Sequence, residues 1–223
     1  MKRTCIVLAL FTTLTAFASE LTMLKLTIPQ LDAAGHMIRR LKAESATGPL
    51  KTPKLSMGVV EFFRPQETNP EKLATLRFNE AVYHSTEEII NGDCLINLDS
   101  PRGDLNGVGF NYQLITGKLV LKSSVVIDLP NAHVTGETAE AFFNQNTAIQ
   151  DSFIQQATIS GKVTVTGIKS DKYPFDRAET AKAVYTASDG LLRLSSPVIC
   201  WRNGQQIQAS ANEISVDVRS QLH

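Results

Sequence analysis

The chain has 223 residues, 43% of them apolar, and its 22 lysines and arginines balance 22 aspartates and glutamates. With no stretch concentrating one sign, it lacks the basic footprint of a nucleic-acid or anionic-membrane surface. The composition is that of a globular chain, neither disordered nor fibrous.

Met1, Lys2 and Arg3 precede an apolar run from Cys5 to Ala18, broken by threonines and closing on Ala16-Phe17-Ala18. A charged start, a short apolar stretch and an Ala-x-Ala box read as a signal peptide over residues 1–18, with Ser19 first in the mature chain. Crossing a bilayer takes roughly 20 apolar residues, and Glu20 ends this run short of that. An uncleaved membrane anchor is the rival reading. Residues 19–223 are expected to form one domain, long enough to bury a core without staples. Cys94 and Cys200 remain in it, and an oxidising compartment permits a disulfide between them. Two small buried hydrophobes are the equal alternative.

Residues 22–31 and 36–44 read as strands around the turn composition Asp32-Ala33-Ala34-Gly35, with Leu24, Leu26 and Ile28 alternating. A helix through Ala33 to Glu44 is the competing reading. Residues 53–63 read as a further strand and Pro65 to Glu71 as a loop. Beyond this, internal similarity dominates. Tyr112, Gly117, Leu119, Leu121 and Val125 recur at identical offsets as Tyr185, Gly190, Leu192, Leu194 and Val198. Looser copies run from Ala81-Val82-Tyr83 to Leu98 and from Ile159 to Val165. Their matching positions Cys94, Val125, Val163 and Val198 lie 31, 38 and 35 residues apart.

Thr116-Gly117 and Asp189-Gly190 supply the positive φ of a tight turn, and alternation on both sides gives each strand one apolar face, so each unit reads as a β-hairpin. Leu119, Leu121, Val125 and Ile127 share a side, as do Leu192, Leu194, Val198 and Cys200, while Lys118, Lys122, Arg193 and Ser195 face the other way. Ala139, Phe142, Phe143, Ile149 and Phe153 follow a helical spacing behind Thr138 as N-cap, which predicts a short helix near 138–156 in place of the third unit's turn. Ser160-Gly161 and Ser188-Asp189-Gly190 read as turn chemistry, residues 170–176 as a loop, and Asn203-Gly204 as a type I′ turn between Trp201 and Ile207.

The units Ala-x-x-Tyr, Thr-Gly or Asp-Gly, Leu-x-Leu, a small pair and Val-x-Val resemble those of the OstA-like periplasmic components of lipopolysaccharide export, the LptA and LptC group. The likeness covers roughly residues 78–218, and the opening Ile28-Pro29-Gln30-Leu31-Asp32-Ala33-Ala34-Gly35 is similar to the start of LptC-like chains. This chain departs from the group in the helical insertion, in Ser123-Ser124 and Ser196-Pro197 where the group carries Gly-Asn, and in a cleavable signal where LptC proteins keep an anchor. The resemblance implies an all-β, antiparallel, folded-over β-jellyroll or β-taco in the periplasm. Its interior would hold lipid A acyl chains, lined here by Leu119, Leu121, Val125, Ile127, Val163, Val165, Leu192, Leu194, Val198 and Cys200. It further implies end-to-end strand pairing with similar jellyroll proteins. Tyr83 and Tyr112 lie 29 residues apart, and the same step beyond Tyr185 reaches Ile214, so Ile214, Val216 and Val218 open an unfinished unit and a free edge for a partner strand.

Passage along such a groove needs no reactive group, and no enzyme activity, cofactor or metal is expected. His36, His84, His133 and His223 show no ligand spacing, and no G-x-S-x-G, phosphate loop or glycosidase-like carboxylate pair stands out. His84 beside Glu87 and Glu88 is the best titratable cluster and reads as solvated. Lys118, Lys122, Arg193 and Arg202 could meet lipid phosphates but read as the wet face of their strands. Two plainer readings stand beside lipid transport: the apolar set fills a closed core, or the chain is an exported β-sandwich that binds glycans through Trp201, Tyr173 and Phe175.

Overall fold

The structure, a computed structural model, describes residues 21–64, 70–101, 103–143, 153–168, 173–195, 197–208 and 213–219. The expected signal peptide over 1–18 lies outside them. The strands are β1 (Leu21–Leu31), β2 (Met37–Gly48), β3 (Lys54–Arg64), β4 (Glu71–His84), β5 (Ile89–Asp99), β6 (Asp104–Gln113), β7 (Lys118–Leu129), β8 (Ala132–Gly136), β9 (Thr138–Phe143), β10 (Ile154–Thr166), β11 (Arg177–Thr186), β12 (Leu191–Ser195), β13 (Ile199–Arg202), β14 (Gln205–Gln208) and β15 (Glu213–Asp217). They form one antiparallel sheet of 15 strands whose order follows the chain.

Three passes across this sheet are each broken into two short strands. β8 and β9 both pair with β7 on one side and β10 on the other, β12 and β13 both pair with β11, and β15 and β14 then pair with β12 and β13 respectively. Counted as continuous passes, the sheet has twelve, bounded by β1 at one edge and by β14 with β15 at the other.

Most long passes are interrupted near their middle, and the interruptions line up. Lys25, Met57, Gly109, Ser124 and Gly161 sit there at positive φ, and ladder register slips at Phe78/Val82, Gly92/Leu95, Asn106/Val108 and Ser160/Val163. Bulges and positive φ bend a strand away from its pleat, so the aligned set makes a crease across the sheet. The sheet folds along it. β3 and β6 are three strands apart, roughly 14 Å at the normal strand spacing, yet the Phe62 and Tyr112 rings lie 6.0 Å apart, and Phe78 of β4 meets Phe110 of β6 at 5.4 Å. The result is the all-β folded-over architecture that the resemblance implies.

The turns form as their residues dictate. Gly117 and Gly190 close the β6–β7 and β11–β12 hairpins at φ +70° and +64°, and Asn203 and Gly204 both take positive φ, as a type I′ turn requires. Residues 37–48 are a strand, which removes the helical reading of Ala33 to Glu44.

Two expectations are corrected. Among the described residues the helix near 138–156 is not found: β9 covers Thr138–Phe143 and β10 starts at Ile154, while 144–152 lie outside them. Ala139, Ala141 and Phe143 are buried in strand alternation, and Phe142 faces outward under the Lys118 ammonium, 5.6 Å from its ring. The helical spacing came from mixing an outward phenylalanine with the inward set. Ser160-Gly161 is also no turn but lies within β10 at the crease, where Glu137 N donates to Ser160 O at 3.1 Å.

Candidate functional site

Inward residues of successive strands stand opposite one another in two unbroken rows, one on each side of the crease. The first runs Ile28, Leu41, Val60, Leu76, Leu98, Leu105, Ile127, Val134, Val165, Ala178 and Cys200, and its register partner on β14, Ile207, is exposed. The second runs Tyr83, Ile90, Tyr112, Leu119, Ala141, Ala157, Tyr185, Leu192 and Val216. Cross-strand pairing of apolar side chains stabilises the sheet. Folding along the crease brings the two rows face to face around one continuous core that extends from Leu26 to Val218.

All ten groove residues singled out from the sequence face this interior. Leu119, Leu121, Val125, Ile127, Val163, Val165, Leu192, Leu194, Val198 and Cys200 are each buried, Leu121 to 1% exposure and Leu194 to 0%. In this state they fill the space between the layers rather than line an open channel. Of the edge residues, Val216 and Val218 are buried in the chain's own core and Ile214 is half-buried against it. β15 ends the sheet order, so what it offers a partner is mainly its outer backbone edge.

Opposite the crease, the two margins of the folded sheet meet as lips. One lip carries the β1–β2, β7–β8 and β10–β11 connections, and the other carries the β4–β5 and β6–β7 turns and the segment after β15. No ladder joins them. Discrete contacts do: Gln30 Nε2 donates to Glu88 Oε2 at 3.4 Å, Asp217 N donates to the Tyr173 hydroxyl at 2.6 Å, and Asn131 Nδ2 donates to the Arg219 carbonyl. Arg39 crosses from β2 to donate to the Tyr112 hydroxyl at 3.1 Å and to the Leu114 carbonyl. Beside it Phe62, Phe143 and Phe153 pack at centroid distances between 4.5 and 5.6 Å.

The sequence reading missed this lip cluster. Arg39 escaped notice because it adjoins Arg40, and two consecutive arginines look like a wet face. The signal was phase, since Arg39, Leu41 and Ala43 alternate inward while Arg40 and Lys42 face out and pair with Glu61 at 2.7 and 3.0 Å.

The remaining candidates lie on the outer face. Lys118 pairs with Glu140 at 2.8 Å, Lys122 with Asp93 at 2.7 Å and Arg193 with Asp189, and Arg202 is exposed beside the β13–β14 turn. His84 ends β4 half-buried. Cys94 and Cys200 are both free thiols. The three aromatic residues do not form a platform: Phe175 is buried, the Tyr173 hydroxyl is tied to β15, and Trp201 is half-buried with the Arg177 guanidinium 4.9 Å above its ring. Among the described residues no cluster of three or more His, Cys, Asp or Glu could hold a metal ion, and no helix is long and apolar enough to cross a membrane. No family model matches the chain, and no curated protein matches its sequence.

Proposed function

We propose that this chain is a periplasmic component of glycolipid export that holds the acyl chains of lipopolysaccharide or a related glycolipid between its two layers. The observation that carries the reading is the pair of apolar rows running unbroken across the folded sheet and facing each other. A track of this kind serves lipid passage without any reactive group. The hairpin resemblance and the N-terminal sequence add the class of lipid and the compartment.

Because the interior is filled at rest, lipid entry requires the lips to part. Parting breaks the lip contacts but leaves every ladder along the crease intact. Each neutral hydrogen bond lost costs about 1 kcal/mol, while each methylene brought in returns about 0.8 kcal/mol, so one acyl chain offsets several contacts. The sheet order ends at β1 on one side and at β14 with β15 on the other, which fits strand pairing end to end with similar jellyroll proteins.

A photo-crosslinking residue at Leu121 or Leu194 tests this directly. Both positions are expected to capture lipopolysaccharide on delipidated protein, and a polar residue at either is expected to abolish lipid co-purification. Absence of capture at both positions would sink the proposal. The glycan-binding alternative finds no support in the arrangement of Trp201, Tyr173 and Phe175.

A further inference from the structure

Among the described residues Arg39 is the one buried arginine or lysine, at 4% exposure, and no carboxylate among them pairs with it. Its partners are neutral: the Tyr112 hydroxyl and the Leu114 carbonyl. A charge taken out of water is normally paired, because neutral acceptors do not cancel it. The groups around it are also short of partners. Tyr112 accepts from Arg39, and no acceptor among the described residues takes its own proton. Gln30, which stands opposite Arg39 on β1, has a buried Oε1 with no partner. Glu88 receives the Gln30 amide at 3.4 Å and makes no ion pair with Arg39.

We infer that Arg39 and Tyr112 form a binding site for an aliphatic carboxylate, the headgroup of a free fatty acid whose tail lies against Phe62, Phe143 and Phe153. The guanidinium fork matches a carboxylate in a two-point contact, and the phenol adds a third donor. The Leu114 carbonyl is the group such a headgroup displaces. Burial pushes the Tyr112 phenol above its ordinary range, against the lowering effect of Arg39, so it stays a proton donor. One guanidinium neutralises a single negative charge, which selects a carboxylate over a doubly charged phosphate monoester. The stacked Phe143 and Phe153 rings, 4.7 Å apart, and Phe62 continue the site as apolar surface. The inference rests on the proposed acyl-binding interior, and a fatty acid held here would compete with glycolipid chains for it.

The test titrates the delipidated full chain with hexadecanoate, hexadecanol and hexadecyl phosphate. Hexadecanoate is expected to bind at least about tenfold more tightly than hexadecanol, as a charge-assisted contact implies. Arg39→Met is expected to bring the two close to parity and Tyr112→Phe to shrink the gap severalfold, in each case chiefly through loss of hexadecanoate affinity. If Arg39→Met fails to fold, Tyr112→Phe, which keeps the ring, decides with the wild-type comparison. Equal binding of hexadecanoate and hexadecanol, an undiminished preference in the folded variants, or a preference for hexadecyl phosphate overturns the carboxylate site alone. Binding of none of the three overturns the acyl-binding interior as well.

Discussion

Cys94 and Cys200 sit in environments that separate their chemistry. Cys200 belongs to the first apolar row at 3% exposure, and burial raises its thiol pKa, which keeps it protonated and unreactive. Cys94 is half-buried at the crease, with its thiol donating to the Glu80 carbonyl at 3.1 Å. A maleimide reagent on the folded protein is therefore expected to label Cys94 first and Cys200 only after denaturant, read by mass spectrometry of the labelled peptides. Equal labelling of both thiols would contradict the burial of the row. Glu61 supplies the residue-scale pH dependence. Its own burial pushes its carboxyl up, but hydrogen bonds from Lys42 and Arg40 outweigh that and hold it below its ordinary value. A depressed folded pKa stabilises above the unfolded pKa of about 4.5, and the benefit is lost as pH falls through the folded value. Glu61→Gln is expected to lower the melting temperature at neutral pH and to flatten its fall on acidification below about pH 4.5.

At the level of strands, the crease explains both what the sequence declared and what it hid. The hairpin turns were legible because Thr116-Gly117, Asp189-Gly190 and Asn203-Gly204 have one dominant local conformation. The mid-strand bends were not, since a glycine or serine pair inside an alternating run carries the same composition as a turn, and Gly161 was read as one. Only the pairing of β10 with β11 both before and after Gly161, with β9 before it and with β8 after it, distinguishes a bent strand from a hairpin. Two substitutions probe the crease in opposite senses. Ser124 holds φ +54°, a conformation strained for a residue with a Cβ. Ser124→Gly relieves that strain at some cost in unfolded-chain entropy and is expected to raise stability by up to about 1 kcal/mol. A Cβ at Gly58 would stand 2.1 Å from the Phe78 ring. Gly58→Ala is accordingly expected to cost about 1–3 kcal/mol by overpacking. Urea midpoints of the two variants check both signs.

For the molecule as a whole, alternation in the repeat was enough to name the inward face of Leu119, Leu121, Val125, Ile127, Leu192, Leu194, Val198 and Cys200, and all of these are buried. What alternation leaves undetermined is the distance between the facing layers, since the same pattern suits an open channel and a filled core. That distance is set by side chains from non-repeated positions, among them Phe62, Phe143 and Phe153, which meet only after the sheet folds over. The sheet order adds a consequence for assembly. Because almost every pass pairs with its immediate predecessor in the chain, the ladder extends in the order of synthesis with little loop-closure entropy at each step. The exception is the last stretch, where β15 returns to β12 and brings Asp217 and Arg219 to Tyr173 and Asn131. Those two clasps can form only once β15 has paired with β12, so this side of the sheet is expected to close after the ladder from β1 to β11 is in place.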